Sequence, residues 1–189
     1  LLIPTLYDKS WVQNTLENKL LNEFKTNFSF SSDISYEILP SPHFTIKNAK
    51  MLNDDKNKPK ELAEIKKLEI FITQKNFFDK ENFKIKKIMI KNANFSINKD
   101  DFDYINNFIV KKLSHKKIAI KKGKIFYRNY ANEIISLTKI LNLSLFYDHE
   151  KAFNVLNLKG EIFKLPFFLE INNEISKTGN KFIKIKSKN

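Results

Sequence analysis

Cysteine is missing from all 189 residues, so the chain can form neither a disulfide framework nor a thiolate metal site. That absence suits cytoplasm and periplasm equally. Glycine is nearly missing as well. Gly123, Gly160 and Gly179 stand far apart, so no phosphate-cradling loop, nucleophile elbow or dinucleotide fingerprint can be assembled from them. Arginine is reduced to Arg128 among 34 basic residues, although the net charge is +13. Bidentate readers of bases and phosphates favour arginine, so lysines scattered along the whole chain read as a solvated outer face, not a nucleic-acid site. His43, His115 and His149 are the three histidines, and none lies at ligand spacing from another or beside a carboxylate pair. No catalytic residue, metal ligand or cofactor site is expected. The chain reads as a non-enzyme.

What is present is apolar residues in order. The 42% hydrophobic content supports a real core, and at this length about 70% of the unfolded surface can be buried in one domain. The N-terminal Leu1-Leu2-Ile3-Pro4 is far shorter than the about 20 apolar residues that span a bilayer. It reads as a plain apolar tail or as the trailing end of a membrane helix. Asp8 or Ser10 can cap a helix over Trp11–Lys25, in which Val12, Leu16, Leu20 and Phe24 recur every four residues and Gln13, Asn14 and Glu17 face away. A second helix is expected from Asp100-Asp101-Phe102-Asp103, whose acidic residues suit a positive helix start, with Phe102, Ile105, Phe108, Ile109 and Leu113 as its apolar face. That reading is preferred to a carboxylate site for acid–base work or calcium.

Everything else alternates with period two. Phe28, Phe30, Ile34, Tyr36 and Ile38 form one expected strand. Pro40 and Pro42 then make a rigid corner with His43 as a turn residue, because each proline lacks an N–H and fixes φ. A strand over Phe44–Ala49 follows. After a solvated loop at Asn53–Lys60, extended runs begin at Leu62, at Phe83 and, beyond a kink at Asn92-Ala93-Asn94, at Phe95. Later strands are expected over Lys117–Arg128, Ile134–Tyr147, Leu156–Leu165, Phe167–Ile171 and Phe182–Ile185. Two short repeats stand out. Ile90-Lys91-Asn92-Ala93 copies Ile46-Lys47-Asn48-Ala49, and Lys117-Ile118-Ala119-Ile120-Lys121 echoes Lys87-Ile88-Met89-Ile90-Lys91. Ile70, Ile72, Ile88, Ile90, Leu143, Leu145 and Leu158, each in an unbroken alternating run, are the candidates for one continuous apolar strip.

The order of these segments resembles the N-terminal region of the AsmA family of bacterial envelope proteins. The likeness rests on Ile3-Pro4, the Trp11–Lys25 helix, the strand into Leu39-Pro40-Ser41-Pro42 and the Phe44–Lys50 strand. It continues through Leu62–Ile70, the Asn76–Asn82 connection with Phe77-Phe78, and Ile85–Phe95. Lys25-Thr26-Asn27 stands where members of that family often carry a glycine. The match is best over 1–98, and 99–189 continues with a helix and strands. The resemblance implies one periplasmic N-terminal domain over 1–189, with a membrane helix upstream of residue 1 anchoring it in the bacterial inner membrane. It implies a role in outer-membrane biogenesis, with phospholipid or acyl chains, the inner membrane and other envelope proteins as partners, and no nucleic acid or cofactor. The expected fold is mainly β with two helices (α+β): a twisted, mostly antiparallel sheet curled into a groove-like or taco-shaped architecture that transfers phospholipid. A structural envelope module with a closed core and a basic nucleic-acid-binding β domain are the alternatives.

Overall fold

The computed structural model describes residues 8–31, 33–53, 59–73 and 83–175, and the backbone of 181–187. Leu1-Leu2-Ile3-Pro4, loop residues 54–58 and the Phe77-Phe78 pair lie outside the described residues. Helix α1 runs over Lys9–Phe24, capped by the Asp8 carboxylate, which accepts from the Ser10 N–H at 3.0 Å. Its four-residue stripe of Val12, Leu16, Leu20 and Phe24 is buried, as the spacing predicts. The polar face is not idle. Gln13 Nε2 donates to the Phe30 carbonyl at 2.6 Å, and the Phe30 N–H donates to Glu17 Oε1 at 3.1 Å. Lys25 ends the helix at φ 53°, its N–H bonded to the Leu21 carbonyl at 2.9 Å. A lysine thus fills the left-handed position that a glycine usually takes.

That tether to Phe30 divides the single strand expected over Phe28–Ile38. Strand β1 covers Asn27–Ser29 and β2 covers Ile34–Glu37. Both pair with β3 (His43–Leu52), β2 opposite its first half and β1 opposite its last residues. The remaining elements are β4 (Glu61–Ile72), β5 (Ile85–Ile97), α2 (Asp101–Val110), β6 (Lys117–Arg128), β7 (Ile134–Asp148), β8 (Phe153–Ile162), β9 (Leu165–Glu174) and β10 (Lys181–Ser187). The strands form one open mixed sheet in the order β1-β3-β4-β5-β6-β7-β8-β9-β10, with β2 beside β3. Mainly β with two helices is therefore the fold class. The kink at Asn92-Ala93-Asn94 does not split a strand in two, as expected, but lies inside the continuous β5.

Among the described strands β5 and β6 make the only parallel pair. Parallel neighbours need a crossover, and α2 supplies it, which lays that helix across one face of the sheet. The two echoing segments turn out to be direct partners: Lys87 faces Lys117, and the match runs in register to Lys91 and Lys121. Two apolar rows cross the helix-bearing face. One reads Ile46, Leu68, Ile90, Ile120, Leu143, Leu158, Leu169, and the other Phe44, Ile70, Ile88, Ile118, Leu145, Leu156, Ile171. They merge with the α1 stripe into a single core. Leu20 is fully buried there. Leu20→Ala should lower the unfolding free energy by about 2–5 kcal/mol, read from denaturant titration. A loss of only a few tenths would mean that α1 does not hold the sheet.

Candidate functional site

Helix α2 is tied down at both ends and loosely filled in between. At its start, Asp101 is buried and takes Lys60 Nζ at 2.6 Å and the Asn98 N–H at 2.8 Å on one carboxylate oxygen. Asp100 is the N-cap residue but makes no side-chain cap bond. The acidic cluster therefore starts and anchors a helix. At the other end, Asn154 of β8 donates to the carbonyls of Ile109 (2.8 Å) and Lys111 (2.7 Å) and accepts from the Leu113 N–H (3.0 Å). Asn173 of β9, its cross-strand partner, adds a bond to the Ile109 carbonyl at 3.3 Å. Both asparagines are buried. They occupy inward positions of the sheet and give up apolar packing to satisfy helix-end carbonyls that would otherwise be orphaned.

Between these anchors Ile105, Phe108 and Ile109 are only half-buried, and Phe102 is exposed and rests against Tyr127 with ring centroids 5.7 Å apart. Phe102 thus leaves the apolar face assigned to it. The space beneath the helix is a cavity of about 180 Å³. Its floor includes Ile90, Phe95, Ile118, Ile120, Ile140, Leu143, Leu145 and Leu156, its roof Tyr104, Ile105, Phe108 and Ile109, and one end Thr26, Phe28 and Met51. Among the described residues no charged side chain lines it. An apolar space of roughly 150 Å³ stays dry and accepts a benzene-sized guest. The chemistry available here is solvation of hydrocarbon.

Of the candidates for the apolar strip, Ile90, Leu143 and Leu145 line this cavity. Ile70, Ile88 and Leu158 stand in the same cross-strand rows but belong to the packed core outside the lining, as does Ile72, which lies past a bulge opposite Ile85. Phe95, Ile118, Ile120, Ile140 and Leu156 carry the same alternation and were not singled out. Periodicity assigns a face, whereas the position of α2 decides which part of that face stays unfilled.

The opposite face is basic. Lys47, Lys67, Lys91, Lys121, Asn142 and Lys159 are successive cross-strand partners across six strands. Like charges placed opposite one another are destabilising. Glu69, buried between them, relieves this by pairing with Lys67 at 2.8 Å and Lys91 at 2.7 Å. His43 is not a turn residue, as expected, but opens β3 and is buried on this face. The Pro-Pro corner ends one residue earlier, so His43 already takes the strand's pairing with Phe71, on whose ring it stacks at 4.8 Å. Its Nδ1–H donates to the Ser41 carbonyl at 2.8 Å, and Nε2 lies 3.5 Å from a Glu37 carboxylate oxygen. The fold also brings the His115 and His149 rings to 5.3 Å, although sequence spacing keeps them apart. Among the described residues no group of three or more His, Asp and Glu side chains is placed to hold a metal, and no helix is long and apolar enough to cross a membrane.

Burial pushes the Glu69 carboxyl up, but hydrogen bonds and charge from Lys67 and Lys91 outweigh it and hold the group below its ordinary value of 4.5. Glu23 follows the same balance, with Lys116 and Ser114 as its donors. A carboxylate lowered in the folded state adds stability above its unfolded value, and that share is lost as pH falls through the folded one. Unfolding midpoints should therefore drop as pH is taken from neutral to well below 4.5. Glu69→Gln should be less stable than wild type at neutral pH and lose less on acidification. An equal acid loss in both proteins would remove Glu69 from the account.

No protein-family model matches the chain, and no curated protein is similar to it.

Proposed function

We propose that the cavity beneath α2 receives a hydrocarbon segment, and that the chain is a non-enzymatic, AsmA-like envelope protein that carries phospholipid. The observation that supports this reading is a lining that, among the described residues, is wholly uncharged, in a cavity roofed by a helix whose two ends are fastened to the rest of the fold. In a sheet-and-helix core such a space is normally closed by side chains, because interiors pack to crystal density. Here Ile105, Phe108 and Ile109 stay half-buried instead. A volume of about 180 Å³ holds part of an acyl chain, not all of it, so the rest would leave the cavity through its opening along a sheet curled as a groove, without entering the packed core at Ile70 and Ile88. Each methylene withdrawn from water contributes about 0.8 kcal/mol. A headgroup would stay at the opening, in water. The family resemblance in order and spacing supports a periplasmic placement on the bacterial inner membrane and a part in outer-membrane biogenesis.

A fluorescent fatty acid reads this out directly. The wild-type chain should take it up with an emission blue shift, and an unlabelled phospholipid should displace it. Leu143→Trp, which fills the cavity without adding charge, should weaken uptake by roughly tenfold or more, equivalent to about 1.4 kcal/mol. Its thermal transition, followed in parallel, shows that the variant still folds. Lys47→Gln and Lys66→Gln on the other face should leave uptake unchanged. A wild-type chain that takes up no probe, or a Leu143→Trp variant that binds as well as wild type, would contradict the reading.

A further inference from the structure

The end of the sheet beyond the cavity carries apolar side chains where a soluble protein would place polar ones. Strands β8 and β9 are joined by a two-residue turn, since Ile162 pairs with Leu165, and both turn residues have left-handed backbones (Phe163 φ 50°, Lys164 φ 65°). Such a turn calls for Asn-Gly, and a bulky residue at positive φ is an outlier. Phe163 is nevertheless there, 73% exposed. The β6–β7 connection ends on the same side of the sheet. Its Asn129 and Glu133 bond each other three times, through backbone and side chains, and Arg128 holds the Asn132 carbonyl. That loop is built, and what it presents outward is Tyr130, 77% exposed, followed by the exposed Ile134 and Ile135. Leu165 is exposed next to Phe163.

We propose that this end is a docking edge for an anionic bilayer surface, into which Phe163, Tyr130, Ile134, Ile135 and Leu165 insert. Aromatic and aliphatic side chains beside cations are what the interfacial zone of a membrane accepts. The cations are in place. Lys121, Lys122, Lys124 and Lys159 are exposed on the strands leading to this end, and Arg128 and Lys164 belong to the tips themselves. Glu161 is neutralised by Lys139 at 2.8 Å, while Glu133 bonds the neutral amide of Asn129 and keeps its charge. Asp100 and Asp103 open α2 at this same end, so Glu133, Asp100 and Asp103 stand against Lys121, Lys122, Lys124, Lys159, Arg128 and Lys164. The excess is cationic, which selects anionic headgroups and makes the attraction sensitive to salt. Phe163 is thus a bulky, exposed residue at a left-handed position where the turn itself favours Asn. This inference extends the lipid reading to a partner surface but rests on other residues.

Co-sedimentation with vesicles tests it. The wild-type chain should pellet with phosphatidylglycerol vesicles, release them as salt is raised, and ignore phosphatidylcholine vesicles. Phe163→Asn installs the residue that the turn prefers, so its melting temperature should equal or exceed that of wild type. Its vesicle binding should nevertheless fall several-fold, and Tyr130→Ser should behave likewise in binding. Phe163→Asn must keep fatty-acid uptake, and Leu143→Trp must keep vesicle binding, so failure of the docking edge and failure of the cavity are told apart. Three results would overturn the proposal: a wild-type chain that does not pellet, a Phe163→Asn variant that pellets like wild type, or a wild-type dimer in light scattering that becomes a monomer on Phe163→Asn. The last would assign the edge to self-association.

Discussion

One step in phase, taken by five neighbouring strands at the same level, sets the shape on which everything else depends. Along β3 the inward residues run Ile46, then Ala49; along β4, Leu68 then Ile65; along β5, Ile90 then Ala93; along β6, Ile120 then Gly123; along β7, Leu143 then Ile140. Each strand turns two successive residues outward, Lys47-Asn48 being the first such pair and Leu141-Asn142 the last. Asn48, Asn92 and Lys122 do so with positive φ of 55°, 54° and 56°. A single strand with such a step would fall out of register with its neighbours. Five together stay paired. The row ends at β8, where the step on β7 meets an unstepped strand and becomes a bulge.

Small residues make that row possible. Ala49, Ala93, Gly123 and Gly160 alternate with Ile65 and Ile140 along the crease, and all are buried. A Cβ on Gly160 would sit 2.7 Å from the Lys139 carbonyl oxygen and 2.9 Å from the Phe167 ring, so backbone and ring already fill its place. On the inner side the step separates the two apolar rows from Phe95 and Ile125 beyond it, and side chains of α2 line the cavity together with both parts. The parallel pairing of β5 with β6 forces the helix onto this face, while Lys60, Asn154 and Asn173 fix its ends. Between fixed ends and a stepped floor, the side chains of α2 cannot close the gap.

Strand existence and type were largely legible in the sequence. Alternation marks β4, β6 and β7 closely, and the expected bounds of β6 are those observed. The strand expected over Leu156–Leu165 instead runs Phe153–Ile162, because Phe163 and Lys164 turn the chain into β9, which alternation alone does not signal without Gly, Asn or Pro there. The copied Ile-Lys-Asn-Ala tetrapeptides were visible too, but their meaning was not. They spell an apolar residue, two outward polar residues and a small inward one, which only pairing reveals as a shared step. The division of β1 from β2 depends on bonds from Gln13 and Glu17, distant in sequence and indistinguishable from solvated polar residues. Asn154 and Asn173 were hidden for the same reason in an asparagine-rich chain. The cavity was half legible, since periodicity shows which residues face inward and not which of them a helix leaves uncovered.

The basic outer face and the apolar cavity lie on opposite sides of the sheet, and the crossover helix covers the second. If the cavity is the place where an acyl chain is held, methyl groups in its walls must sense that chain. Methyl NMR of the isoleucine- and leucine-labelled protein during titration with a phospholipid is the most direct measurement. The account predicts saturable shifts, with contacts to the acyl chain, at Ile90, Ile120, Leu143 and Leu145, and none at Ile70 and Ile88 in the adjoining packed core. Shifts confined to exposed residues, or spread equally over Ile70 and Ile88, would contradict it.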